Sequence, residues 1–95
     1  MNEKSELSYK FTDKYEIIDM DNNIILMPIK NNGKAIILNQ TSKIILNELQ
    51  QHKSTITNLI SLITSMFIVD REKASKDINA FIDEMIKLSV ITVTS

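Results

Sequence analysis

Few side chains in this sequence are able to do chemistry. His52 is the sole histidine and cysteine is absent, so no histidine pair, catalytic triad, thiolate nucleophile or Cys-based metal centre can be assembled within one chain. His52 sits in the polar stretch Gln51-His52-Lys53, where an ordinary loop residue is the expected role. Asp19 and Asp21 with Asn22 and Asn23 have the oxygen content of a calcium loop but not its glycine or closing glutamate, which favours a hairpin turn. Asp83 and Glu84 are neighbours, hence about 100° apart around a helix, the wrong geometry for a shared acid–base site. A single glycine leaves no phosphate-cradling loop. This inventory points away from an enzyme, a metal protein or a cofactor carrier.

Composition sets further bounds. Ninety-five residues make one domain around one core, and 43% hydrophobic with 24% charged residues is ordinary for a globular chain. Eleven basic and 12 acidic residues give a net charge of -1 and are intermixed. Nucleic-acid binding draws its affinity from a basic stripe that releases counterions, and none is present. The start, Met1-Asn2-Glu3-Lys4-Ser5-Glu6, lacks the apolar core of a signal peptide, and no run approaches the roughly 18 apolar residues that span a bilayer. The expectation is a cytoplasmic protein without membrane contact.

The elements follow from periodicity and turn chemistry. Residues 1–13 mix charges with isolated Leu7, Tyr9 and Phe11 and are expected as a flexible lead-in to a single domain over 14–95. Tyr15 to Asp19, then Ile24 to Ile29, read as two strands joined by Asp21-Asn22-Asn23. Pro28 cannot donate a ladder hydrogen bond and belongs at an edge, a bulge or a strand end. Asn31-Asn32-Gly33 is the strongest turn signal, and a third strand is expected over 34–38. Asn39 is a suitable cap for a helix over about 40–50 with Ile45, Leu46 and Leu49 inward. Ser54 or Thr55 caps a second helix to about Phe67, with Ile56, Leu59, Ile60, Ile63 and Phe67 on one face. Asp70 caps a third, with Ile78, Phe81, Ile82 and Met85 inward. Val90 to Val93 is β-branched and suits a short strand or wing. The fold class is α+β, a three-stranded antiparallel sheet followed by three helices, similar in shape to a winged helix-turn-helix.

That shape often binds DNA, yet residues 55–68 carry no charge and offer only Asn58 and small hydroxyls, poor material for reading base edges. The third helix carries four bases (Arg71, Lys73, Lys76, Lys87) against five acids (Asp70, Glu72, Asp77, Asp83, Glu84). A small DNA-binding regulator is the second reading. The more informative feature is the third strand, which passes straight into a helix through Asn39-Gln40-Thr41-Ser42 and leaves one edge unpaired. Such an edge can accept an extended peptide as an added strand, or pair with a second copy to give a weak homodimer.

From Tyr15 onward the chain resembles the PqqD-like proteins, recognition elements for ribosomally made, post-translationally modified peptides. Ile24-Ile25-Leu26-Met27-Pro28 matches the family's second strand. Leu38-Asn39-Gln40-Thr41-Ser42-Lys43-Ile44-Ile45-Leu46 matches its strand-to-helix junction, and Ser54-Thr55-Ile56 its second helix start. Phe67, Asp77-Ile78 and Phe81-Ile82-Asp83-Glu84-Met85 occupy the places of its later pattern. Gln51-His52 stands where the family often has Asp-Gly, and Ser89 where it has a glycine. The resemblance implies a non-catalytic protein, with no cofactor or metal, that binds a precursor's leader segment antiparallel to the third strand and presents it to a separate radical, cyclising or protease enzyme. It implies that Lys34, Ala35, Ile36, Ile37 and Leu38 supply the ladder. Asp77, Phe81, Glu84, Met85 and Leu88 would line the facing helix, with Lys34 and Glu84 offering charge selection.

Overall fold

The computed structural model describes residues 7–30 and 33–94. Their order is β1 (Ser8–Phe11), β2 (Tyr15–Asp19), β3 (Asn23–Pro28), β4 (Ile36–Asn39), α1 (Gln40–Gln51), β5 (Ser54–Thr55), α2 (Ile56–Met66), α3 (Arg71–Lys87) and β6 (Ile91–Thr94). Met1 to Glu6, and Asn31 and Asn32 of the expected turn, lie outside the described residues.

Alternation builds the meander β2-β3-β4. Ile17, Leu26 and Ile36 stand opposite one another and face inward, as do Ile24 and Leu38. Two backbone hydrogen bonds fix the phase of the β2–β3 ladder: Met20 N–H donates to the Asn23 carbonyl (2.9 Å) and Ile29 N–H to the Lys14 carbonyl (3.0 Å). Hydrogen-bonded pairs alternate along an antiparallel ladder, so Asn23, Ile25, Met27 and Ile29 direct their backbone groups to β2. Ile24, Leu26 and Pro28 then face β4. Pro28 has no N–H to give, and the β3–β4 pairing ends two residues short of it, at Leu26 opposite Ile36. For that reason Lys34 and Ala35, expected within the strand, precede it, and β4 spans Ile36–Asn39.

Capping sets the starts of α1 and α2. Asn39 Oδ1 accepts from Ser42 N–H at 2.9 Å and Thr55 Oγ1 from Asn58 N–H at 3.1 Å, each satisfying one orphan donor of a first turn. Asp70 occupies the N-cap of α3, but its side chain makes no capping bond. Ile45, Leu46 and Leu49 of α1, Leu59, Ile60 and Ile63 of α2, and Ala74, Ile78, Ile82 and Met85 of α3 enclose a core with Ile24 and Leu26.

The expected lead-in is partly a strand. β1 lies at the centre of a second antiparallel sheet, β5-β1-β6, with Ser8 to Phe11 opposite Thr94 to Ile91 and Tyr9 opposite Ser54. Phe11 joins the core. Leu7, Tyr9 and Phe11 have the period of two that a half-buried strand needs, but their partners come from distant parts of the chain.

Between α3 and β6 the chain turns through a left-handed residue. Ser89 has φ 64°, its N–H donates to the Ile86 carbonyl (3.0 Å), and Val90 N–H donates to the Met85 carbonyl (2.9 Å). This is the paired-bond helix stop known as the Schellman motif, with buried Val90 and Met85 as its apolar contact. A residue with a Cβ is strained there by about 1 kcal/mol or more. Ser89→Gly should therefore stabilise the domain by about 0.5–1 kcal/mol after the entropy of the unfolded chain is counted, read as a higher urea midpoint at unchanged slope. Ser89→Val should shift the midpoint the other way.

Candidate functional site

The candidate site combines one strand edge with one helix face. On β4, Ile36 and Leu38 turn their backbone groups to β3, so the N–H and C=O of Ile37 point away from the sheet. β4 is the terminal strand of its sheet, and the Ile37 side chain, 68% exposed, stands on the sheet's outer face. The edge thus offers a donor and an acceptor side by side, the arrangement that a further antiparallel strand requires.

Helix α3 supplies the opposite wall. Asp77, Ile78 and Phe81 share a cleft of about 310 Å³ with Asn39 of β4 and Thr41, Ser42 and Ile45 of α1. At its other end α3 is tied to the sheet: Tyr15 Oη donates to the Leu88 carbonyl at 2.8 Å, and Tyr15 stands opposite Pro28. Thr12 Oγ1 donates to the Ser89 carbonyl at 2.8 Å. These two anchor regions give the direction of the helix, which runs from the Asn39 end of β4 toward the Ile36 end, antiparallel to the strand.

Of the residues expected here, Asp77 and Phe81 line the cleft, with Phe81 half-buried and packed against the core. Glu84 and Leu88 are exposed and continue the same face at i+7 and i+11 from Asp77. Met85 does not line the groove: it is 2% exposed, on the buried stripe with Ile78 and Ile82, one helical position away from Glu84. Lys34 and Ala35 are exposed and lie before the strand. Asn39, Thr41, Ser42 and Ile45 line the cleft and were not expected there. The visible signal was the small polar Thr41 and Ser42 beside the cap, but those residues read equally well as helix-starting residues.

The charges of the site are solvent-facing. Asp77 Oδ2 lies 3.3 Å from Lys73 Nζ on its own helix, both exposed, a pair worth only a few tenths of a kcal/mol. His52 Nε2 lies 3.0 Å from Glu48 Oε2 one turn back along α1, a structural contact away from the groove residues. A larger hollow of about 910 Å³ lies over Ile60, Asp70 to Lys73 and Ser75 to Asp77 and shares Asp77 with the cleft; its rim of mixed, exposed charges has no convergent chemistry.

The sequence carries a decisive likeness. The family model described as coenzyme PQQ synthesis protein D (PqqD) matches residues 23–91, well over half of the chain. This chain belongs to the PqqD family. The matched span takes in the whole of β3, β4, the three helices and the first residue of β6. Among solved structures, the PqqD-family chain is similar to one titled "TbiB1 in Complex with the TbiA(beta) Leader Peptide", with a TM-score of 0.71 and 16% sequence identity over 86% of this chain and 93% of that one. The fold is therefore shared, an α+β domain of the winged helix-turn-helix kind. A comparison with curated protein sequences gives no match. No helix among the described residues is long and apolar enough to cross a membrane.

The two faces of α3 should separate cleanly in stability. Met85→Ala should cost about 2–4 kcal/mol of unfolding free energy, whereas Glu84→Gln, one position away, should stay within about 0.5 kcal/mol. Urea unfolding of both variants checks the assignment; equal effects would place Met85 at the surface.

Proposed function

We propose that this PqqD-family protein captures the leader segment of a ribosomally made precursor peptide as an antiparallel strand on β4, against α3, and presents the rest of the peptide to a separate modifying enzyme. The observation that carries this reading is the outward pair of backbone groups on Ile37 beside the cleft at Phe81. Membership of the family and the leader-peptide complex of the structural neighbour support it. Ile37 would supply the ladder, with Ala35 able to extend it. Asp77, Phe81, Glu84 and Leu88 would meet the side chains that alternate toward α3, and the cleft between Asn39 and Phe81 would hold one apolar side chain.

Binding alone can promote chemistry. An enzyme that also associates with this protein meets the tethered peptide at a raised effective concentration, without any catalytic group here. The partner enzyme would be a radical, cyclising or protease subunit, and the complex would form in the cytoplasm. A free β4 edge in the absence of peptide is also compatible with a weak homodimer.

The test titrates a labelled synthetic leader of a candidate ribosomally made precursor into the whole protein, with a scrambled leader and duplex DNA as controls. Ile37→Pro removes the outward donor and should weaken binding about tenfold or more, through one lost hydrogen bond and the clash of the ring with the incoming strand. Ile36→Pro removes a donor to β3 instead and should lower stability first. Ile37→Thr retains the N–H and should bind within about threefold of the parent, given the small change expected at a β-compatible position. A folded Ile37→Pro protein with undiminished leader affinity would sink the strand-addition model.

A further inference from the structure

We propose that the captured peptide carries acidic residues directly C-terminal to the segment that adds as a strand, and that lysines at one end of the sheet hold them. This rests on the strand-addition reading and adds a chemical requirement to it.

The direction of the peptide is the first step. A strand antiparallel to β4 starts at the Asn39 end, beside the cleft with Asp77 and Phe81, and leaves past Ile36. It then emerges at the end of the meander where Tyr15 faces Pro28. Three lysines flank the strand termini there: Lys14 before β2, Lys30 after β3 and Lys34 before β4. Lys14 and Lys30 line a cavity of about 360 Å³ with Asp13 and Ile29. Lys10 joins Lys14 and Ile29 around a neighbouring cavity of about 650 Å³.

The second step is charge. Among the described residues, none of these four lysines takes part in an ion pair, whereas Lys43 and Lys73 are engaged by Asp19 and Asp77. Asp13 is the one carboxylate lining either cavity. In a chain of net charge -1, this clustering leaves one end of the sheet locally positive. An extended chain advances about 3.3 Å per residue and neighbouring strands lie about 4.8 Å apart. About three to five residues beyond Ile36 therefore suffice to pass Lys34 and reach Lys30 and Lys14. Ile29, 56% exposed between the lysines, gives an apolar contact along that path.

The experiment is a selection of random 15-residue peptides displayed against the whole protein. The expected winners share alternating apolar positions, followed within about five residues by Asp or Glu. A winner should then bind Lys14→Glu/Lys30→Glu/Lys34→Glu about three- to tenfold more weakly at physiological salt, in keeping with exposed ion pairs. Exchanging its acids for lysines should restore binding to that variant. Thermal melting of the variant, expected to match the parent, shows that the fold is intact. Apolar alternation without acids, or with acids only on the N-terminal side, overturns this proposal and leaves strand capture standing. Selection of no peptide at all overturns both. Duplex DNA bound by the parent and released by the variant would reassign the lysines to phosphate and likewise overturn the proposal.

Discussion

The alternation of backbone hydrogen bonds across β3 governs what the rest of this molecule can do. An antiparallel strand can turn each residue's N–H and C=O to one neighbour only. Once the bonds of Met20 and Ile29 assign half of β3 to β2, the other half faces β4, and the phase of β4 follows. Ile37 is left outward as a matter of counting. The same counting makes Pro28 the end of the ladder and shortens the open edge to the few residues of β4. A short edge is less inviting to indiscriminate pairing than a long flat one, so the proline limits the exposed edge as well as ending a strand.

Helix α3 belongs to the core and to the groove at once. Ala74, Ile78, Ile82 and Met85 are buried, and Asp77 and Phe81, each one position before a buried residue, line the cleft with Asn39 of β4. The helix is placed by its ends more than by contact along its length with β4. Its N-terminal half borders the cleft through Asp77, and the carbonyls of Leu88 and Ser89 just past its end are held by Tyr15 and Thr12. The groove persists because the tethers lie beyond it.

Much of this was legible in the sequence where the signal is local. The meander, the caps at Asn39 and Thr55 and the inward stripes of all three helices depend on residues within a few positions of each other, and pattern and turn chemistry read them; Phe67, expected on the stripe of α2, is instead its C-cap and 40% exposed, because the helix stops one residue before it. The strand at Ser8–Phe11 was missed because its partners are Ser54-Thr55 and Ile91–Thr94; nothing near it in sequence stabilises it. Strand β4 was drawn too early because Lys34 and Ala35 look no worse as strand residues than their successors. What excludes them is the missing N–H of Pro28 on the neighbouring strand. Of the residues expected on the helix wall, Asp77 and Phe81 line the cleft. Met85 lies on the inward stripe, as its periodicity indicates, and not on the cleft; residues 84 and 85 differ by 100° of helix, and the family-like pattern does not say which of them meets the core.

The pairing of β1 with β6 has a consequence for how this domain can be carried. Ser8 lies opposite Thr94, so the first and last strands of the described residues bring their outer ends to adjacent points on one sheet. Domains with neighbouring ends tolerate insertion into a host loop and circular permutation. Two short linkers at that sheet would splice the whole unit into the surface of a larger enzyme without stretching either chain, and the groove, on the other sheet, would stay open to the peptide.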